Sequence, residues 1–301
     1  MKYLIVIVGP TASGKTALSI ELAKHFDAEI LSCDSRQFYR EMTIGTAKPD
    51  AEELAAVAHH FVDNLSIEQD YNAGDFERDA MAFLEAYYIK KDVAIMVGGS
   101  GLYIRALCDG VDYFPEVDRG IRERLSQELE AGGLEGLQEE LKASDPVYYT
   151  KVDLQNPHRV IRALEICRGT GEAFSSFQEK NKVERPFKII KIGIDWLRAE
   201  LYARINLRVD LMLEAGLLEE ARSLYPQRHL NALQTVGYRE FFDHFDGLTT
   251  LDEAVELLKR NTRRYAKRQM TWFRKEKDLI WVKAGVSLGE VVALVDGEMD
   301  V

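Results

Sequence analysis

The sequence predicts an α/β fold: a P-loop parallel sheet flanked by helices, with an inserted helical subdomain. Three observations carry this. Short apolar runs rich in β-branched residues alternate with helix-periodic stretches between residues 2 and 97, the pattern of a parallel sheet covered by helices. The first of these runs leads directly into a glycine-bounded loop that opens a helix. From about residue 112 to about 185 the chain turns polar and helical, rich in Glu, Arg and Gln, before a strand-like run returns. The expected organisation is therefore a core domain of residues 1–111 and 186–301, with a helical insertion at 112–185.

The elements follow in order. Residues 2–8 form a strand buried on both faces, because after Lys2 the run is apolar and rich in β-branched residues and stops at Gly9-Pro10. Leu18, Leu22 and Phe26 recur at helical spacing over 16–26. Residues 29–33 read as a second strand, 76–88 as a helix and 93–97 as a third buried strand closed by Gly98-Gly99. A strand at 187–194 and a helix at about 199–213 follow the insertion. The last long helix opens at Thr250, whose pairing with Glu253 three residues on is a capping box, and is expected to run to about Lys275. Projected at about 100° per residue, Leu258, Tyr265, Gln269, Trp272 and Phe273 fall on one side of it, and Arg260, Arg264, Lys267, Arg274 and Lys275 on the other.

Composition excludes several classes. With 301 residues, 46% of them hydrophobic, the chain can bury a large core but is long for one compact unit. No apolar run approaches the ~20 residues of a membrane span. The run at 3–8 is too short for a signal peptide and enters a glycine-rich turn where a cleavage site would stand; the protein is expected in the cytoplasm, away from membranes. Cys33, Cys108 and Cys167 are far apart and form no CxxC pair, which speaks against a disulfide scaffold or a zinc site. His59 and His60 are adjacent and would diverge on a helix. The formal net charge is −11. From Lys259 to Lys277, however, nine basic residues stand against one acid, a local +8 that leaves −19 for the remainder. Such a patch, with no partners within its own helix, fits a polyanion.

The strongest chemical signal is Gly9-Pro10-Thr11-Ala12-Ser13-Gly14-Lys15-Thr16, a match to GxxxxGK[ST] lying between a strand and a helix. A chance match is expected in about one chain of this length in a hundred, and the strand-helix context is the confirming condition. The glycines let backbone N–H groups turn toward phosphate oxygens, Lys15 adds a point charge, and the Thr16 hydroxyl can ligate Mg²⁺. Asp34, at the end of the second strand, points toward this loop, as a general base, a water-mediated Mg²⁺ ligand or a turn aspartate. Neither of the other strands read here ends in the aspartate that nucleotide-hydrolysing P-loop proteins use for Mg²⁺; the third ends in Gly98-Gly99-Ser100-Gly101. Arg204 and Arg208 are i,i+4 neighbours, and Arg208 projects onto an apolar face among Leu201, Ile205 and Met212. A buried cation needs a partner, and a substrate phosphate, a core acid or a snorkelling path would each supply relief.

Beyond these local features the chain resembles the tRNA dimethylallyltransferase (tRNA isopentenyltransferase) family in its bacterial type, the sequence carrying no zinc finger. The resemblance rests on GPTASGKT from Gly9, DSRQFYREMTIGTAKP from Asp34, GGSGLYIRAL from Gly98, QNPHRVIRALE from Gln155, RINLRVDLMLEAGLLEE from Arg204, QTVGYRE from Gln234 and RRYAKRQMTWFR from Arg263. These stand in family order across most of the chain. The resemblance implies transfer of a dimethylallyl group from dimethylallyl diphosphate to N6 of adenine 37 in tRNA, with Mg²⁺ as cofactor. It implies that the phosphate loop holds a diphosphate, that Asp34 is the general base, and that Ser100, Arg204 and Arg208 complete the catalytic group, the arginines stabilising the leaving diphosphate. It further implies that Asp34, Ser35, Arg36, Gln37, Ser100 and Gln155-Asn156-Pro157-His158-Arg159 contact the tRNA. The insertion, with Arg122, would hold the anticodon stem-loop, and Arg264 and Lys267 would meet its backbone. The chain is expected to act as a monomer. Ser100 stands where the family usually has Thr, which keeps the hydroxyl, while Arg36 and Phe38 replace small and aliphatic residues. An enzyme that prenylates free adenine nucleotides is the nearest alternative. A small-molecule P-loop kinase lacks its strand-end aspartate here, and a non-enzymatic RNA-binding module leaves the phosphate loop and Asp34 without a use.

Overall fold

A computed structural model describes residues 1–178 and 183–299; residues 179–182, within the span read as the insertion, and 300–301 lie outside the described residues. In chain order the elements are β1 (Tyr3–Val8), α1 (Lys15–His25), β2 (Ile30–Ser32), α2 (Ala51–Ala56), β3 (His59–His60), α3 (Ala73–Tyr87), β4 (Val93–Gly98), α4 (Gly101–Asp109), α5 (Arg119–Gly132), α6 (Leu134–Ser144), α7 (Pro146–Tyr149), α8 (Pro157–Thr170), β5 (Lys188–Asp195), α9 (Arg198–Glu214), α10 (Leu217–Leu224), α11 (Arg239–Phe245), α12 (Leu251–Phe273), β6 (Leu279–Lys283) and α13 (Leu288–Met299). They form two compact units, Met1–Asp109 with Glu184–Val301, and Gly110–Val183.

The first unit is built on a six-stranded sheet in the order β3-β2-β4-β1-β5-β6, with every neighbouring pair parallel. Leu4, Ile5, Val6 and Ile7 of β1 are all fully buried, which is why this strand reads as a continuous apolar run without alternation. Leu4 and Val6 pack with Phe76 and Leu84 of α3 and Leu107 of α4. Ile5 and Ile7 pack with Leu18 and Leu22 of α1 and Val291 and Val295 of α13. A third cluster joins Met42, Val209, Leu217, Tyr238, Phe241 and Leu258. Because the strands are parallel, the loops after β1, β2 and β4 gather at one edge, the usual ligand edge of such sheets.

Helix boundaries follow the caps. α3 begins three residues before its expected start because Asn72 accepts from the Gly74 and Asp75 N–H groups while Asp75 accepts in return from the Asn72 N–H. Thr250 and Glu253 form the expected capping box on α12, which ends at Phe273, two residues short of the expected end. Strand β3 and the short helix α2 carry too little periodic sequence to be read in advance.

The second unit is helical. α5, α6 and α8 bury Leu125, Leu137, Leu141, Val160 and Leu164 together. Its polar supports are specific: fully buried Asp145 accepts from the Tyr148 N–H and from both the N–H and hydroxyl of Ser175, and Arg168 bridges Glu128 and Glu140. No helix among the described residues is long and apolar enough to cross a membrane.

Candidate active site

The chain leaves β1 in a tight turn. Ala12 and Gly14 adopt left-handed backbone angles, φ 64° and 86°; Gly14 does so without steric cost, whereas Ala12 holds the conformation under strain. The outer carbonyls of the turn are tied down. Trp196 Nε1 donates to Ser13 O at 3.0 Å, and Arg204 Nε donates to Ala12 O at 2.9 Å while its guanidinium lies 4.7 Å from the Trp196 ring. This leaves the inner side of the turn to N–H groups and to the N-terminus of α1, an arrangement suited to phosphate. Thr11 through Thr16 line a cavity of about 270 Å³. Gly9 and Pro10 do not line it; they form the base, where Pro10 O accepts from Lys15 Nζ at 2.7 Å and from the Ser13 N–H at 3.3 Å.

A second cavity of about 240 Å³ adjoins the first. Thr11, Asp34, Thr46, Ala47, Arg208 and Tyr265 line both. Away from these shared residues the second cavity has an apolar wall of Val209, Met212, Leu217, Val236 and Leu258. Asp34 thus stands at the junction of a phosphate-type pocket and an apolar one. Its Oδ1 accepts from the Arg36 N–H at 3.0 Å. Ser35 and Arg36 line the apolar cavity beside it.

The electrostatics are unbalanced toward positive charge. Burial, and then the neighbouring Arg208 guanidinium, lower the Lys15 pKa to about 7 against the opposing pull of Asp34. Arg208 is itself shifted downward, first by burial and then by Arg204. It makes no ion pair among the described residues; its guanidinium donates to Thr11 Oγ1 at 3.5 Å, and the half-buried Glu53, which lines the same cavity, opposes the shift only from a distance. Burial raises the Asp34 pKa, with the Arg36 N–H and Lys15 working against the rise. Of the three accounts open for Arg208, a core acid partner is the one that the structure removes.

Ser100 lines neither cavity. Its Oγ accepts from the Ser35 N–H at 3.1 Å and donates to Ser35 Oγ at 3.3 Å, so its contact with the site runs through Ser35. Gln37 commits its amide to the protein, donating to the Thr46 and Ala47 carbonyls and accepting from Ser32 Oγ. In the helical unit, Asn156 caps α8 by accepting from the Arg159 N–H, and Pro157 occupies the first turn; both have structural duties. Arg122 pairs with Glu165 at 3.1 Å, alongside Arg162 at 2.8 Å. Gln155, His158 and Arg159 are exposed.

Three expectations need correction. β5 runs one residue further than read and does end in an aspartate, Asp195; its carboxylate lies 3.8 Å from Arg274 and lines neither cavity. The basic segment also finds partners, some within its helix: Lys259 pairs with Asp210 at 2.7 Å and Glu256 at 3.8 Å, and Arg263 donates to Asn206. Arg264 and Lys267 are exposed and make no ion pair among the described residues. Arg204 and Arg208 also divide their work, since only Arg208 lines the cavities.

Sequence reasoning missed Tyr265 and Gln269 as site residues. Both lie on the core face of α12. Tyr265 lines both cavities, and its pKa is pushed up to about 12 by burial and then by the Asp34 charge. Gln269 accepts from the Thr11 N–H at 2.9 Å and donates to Gly99 O at 2.9 Å. A polar residue inside an aromatic helix face was the available signal.

A parallel sheet with a phosphate loop, a carboxylate and an apolar cavity at its carboxyl edge defines a P-loop protein arranged for a phosphate ester bearing an apolar group. The sequence model described as IPP transferase matches residues 37–276. The chain belongs to the tRNA dimethylallyltransferase family. It is 57% identical over 279 residues to the tRNA dimethylallyltransferase of Christiangramia forsetii, covering 93% of this chain and 92% of that one. It is similar to the full-length tRNA isopentenylpyrophosphate transferase of Bacillus halodurans, with a TM-score of 0.75 and 37% identity over 100% of this chain and 97% of the other. A eukaryotic dimethylallyltransferase acting on tRNA superposes with a TM-score of 0.80 at 28% identity, over 94% of this chain and 74% of that one.

Proposed function

We propose that this protein transfers a dimethylallyl group from dimethylallyl diphosphate to N6 of adenine 37 in the anticodon stem-loop of tRNA, releasing diphosphate, as a cytoplasmic monomer. The observation that carries this reading is the position of Asp34 between the phosphate-loop cavity and the apolar cavity. The diphosphate lies against the Thr11–Thr16 part of the loop, and the five-carbon group takes the apolar side. The N6 lone pair forms the new bond to the allylic carbon as the carbon–oxygen bond breaks, its electron pair leaving on the diphosphate. Asp34 accepts the proton lost from N6. Lys15 and Arg208, which form no ion pair among the described residues, stabilise the charge that develops on the leaving group, and Arg204 holds the loop that presents it.

The residues present fit Mg²⁺. The ion keeps several waters and binds largely through substrate phosphates, and the Thr16 hydroxyl lines the phosphate cavity where it would ligate the ion, leaving the Asp34 carboxylate unligated as the base. Held there it would neutralise charge on the diphosphate. Among the described residues no group of three or more His, Cys, Asp or Glu converges on a metal position, so substrate oxygens supply the rest of its shell.

Exposed Arg264 and Lys267 on α12, and Gln155, His158, Arg159 and Arg122 of the helical unit, are the proposed tRNA contacts. The adenine must leave its stack to be modified. Incubation with unmodified tRNA and labelled dimethylallyl diphosphate, with free adenosine phosphates in parallel, tests the reading. Label in tRNA that is lost on chelation and restored by Mg²⁺ supports it; label only in the free nucleotides overturns it in favour of a nucleotide prenyltransferase.

A further inference from the structure

We infer that Gln269 is a positioning residue of the transfer reaction, one side-chain amide that sets the spacing between the phosphate loop and the Gly99-Ser100 loop. This rests on the functional reading above. Gln269 is buried at 6% exposure, and both ends of its amide are used: Oε1 accepts from the Thr11 N–H and Nε2 donates to Gly99 O, each at 2.9 Å. The two loops follow neighbouring parallel strands, β1 and β4, whose last residues Val8 and Gly98 are register partners. The strand ladder stops there, so the loops beyond it have lost their backbone pairing. Gln269 bridges them beyond the ladder, from Thr11 on the loop after Val8 to Gly99, the residue after Gly98.

What hangs on each end gives the clamp its consequence. Thr11 lines both cavities and meets Arg208 through its hydroxyl. Gly99 precedes Ser100, whose hydroxyl accepts from the N–H of Ser35, the neighbour of Asp34. Gln269 thus lies on a hydrogen-bonded path between the groups that hold the leaving diphosphate and the carboxylate that takes the proton. A transfer reaction is sensitive to that distance, since an error near 1 Å in the approach of reacting groups costs about a hundredfold. The fit is tight: a Cβ on Gly99 would lie 2.2 Å from Gln269 Nε2, so position 99 admits only glycine while the amide is in place. Gln269 also sits on the same helix as exposed Arg264 and Lys267, so the element proposed to meet tRNA is the element that carries the clamp.

The test uses the full chain with Gln269→Leu, Gln269→Glu, Gln269→Ala, Gly99→Ala and the double variant Gly99→Ala/Gln269→Ala. Leu keeps the volume and removes both bonds; Glu keeps the acceptor for Thr11 but sets a carboxylate against Gly99 O. Amide hydrogen exchange of the free protein reads the clamp without substrate. Gln269→Leu should raise exchange in both the 9–16 and 98–103 segments, while the β1 and β4 amides stay protected. In the transfer assay Gln269→Leu and Gln269→Glu should lower kcat by about ten- to a hundredfold, with KM for tRNA changed less than about threefold and the thermal midpoint close to wild type. Gly99→Ala should lower kcat comparably, but by only about twofold when added to Gln269→Ala, because the colliding amide is gone. A kcat within about twofold of wild type for Gln269→Leu, or additive losses in the double variant, overturns the inference. Absence of tRNA transfer by the wild-type protein would sink the functional reading instead, and the exchange result would still decide whether the clamp exists.

Discussion

Arg208 presses on Lys15 across the phosphate-loop cavity, and its charge is the second cause, after burial, of a Lys15 pKa near 7. A diphosphate entering between them reverses that pressure by adding negative charge beside both. Lys15 therefore takes up a proton as diphosphate binds. The affinity this proton contributes is fully present below the free-protein pKa of about 7 and is lost as pH rises through the higher pKa of the complex. Inorganic pyrophosphate titrated calorimetrically from pH 6 to 9 should bind more weakly as pH rises, by up to about tenfold per unit from this group. Lys15→Met should retain only the slope of the ligand's own titration. An identical slope in both proteins would show that Lys15 is charged before the ligand arrives.

Asp34 shifts the other way. Burial raises its pKa, so the carboxylate needed as a base forms at a higher pH than an exposed aspartate would require. The rate of transfer should fall as pH drops through that raised value, giving an acid limb above the ordinary aspartate range. Asp34→Asn should remove the limb and lower kcat by about 10²–10⁴-fold, with tRNA affinity within a few-fold of wild type. Retention of near-normal turnover by Asp34→Asn would assign the base to another group.

Much of this site was legible because its parts are local. The phosphate loop is one contiguous motif between a strand and a helix, and Asp34 follows a short apolar run, so sequence spacing alone brings them to one sheet edge. What was not legible depends on contacts between distant segments. Gln269 meets Thr11 across 258 positions and Gly99 across 170, and no periodicity within α12 states which carbonyl a buried amide will find. Ser100 is expected at the site only through the family resemblance; its hydroxyl is instead engaged behind the cavity lining by the Ser35 N–H and hydroxyl. The strand-end Asp195 was missed for a smaller reason: β5 continues one residue past its apolar run because Asp195 still pairs with Lys283 on the neighbouring strand β6.

Glu220 organises the other wall of the site. Its carboxylate accepts from the N–H groups of Thr43, Ile44 and Gly45 and from the hydroxyl of fully buried Tyr238. Three successive amides and a phenol on one carboxylate hold the loop whose next residues, Thr46 and Ala47, line both cavities. Glu220→Ala leaves Tyr238 without that partner and should lower unfolding free energy by about 2–4 kcal/mol in urea titration. It should also raise KM for dimethylallyl diphosphate. Glu220→Gln keeps one acceptor oxygen and should lose about half as much stability. Equal stability of the Ala variant and wild type would mean that the loop is held by its apolar contacts alone.

The exposed face of α12 is only partly neutralised within the fold. Lys259, Arg263 and Arg274 are engaged by Asp210, Asn206 and Asp195, so the nine cations of this segment do not all face outward unspent. Arg264 and Lys267 do, about one turn apart on a helix whose opposite side is anchored by Leu258, Ala266 and Phe273. A cation that meets a phosphate releases a condensed counterion, and each such contact steepens the salt dependence of binding. Arg264→Ala/Lys267→Ala should weaken tRNA binding and reduce the slope of log Kd against log salt by about one per lost contact, or roughly two in all. Arg274→Ala, which removes a cation already facing Asp195, should change the slope less. The comparison separates contact from bulk charge: equal flattening per cation removed would mean that α12 acts through its net charge and does not touch the tRNA backbone.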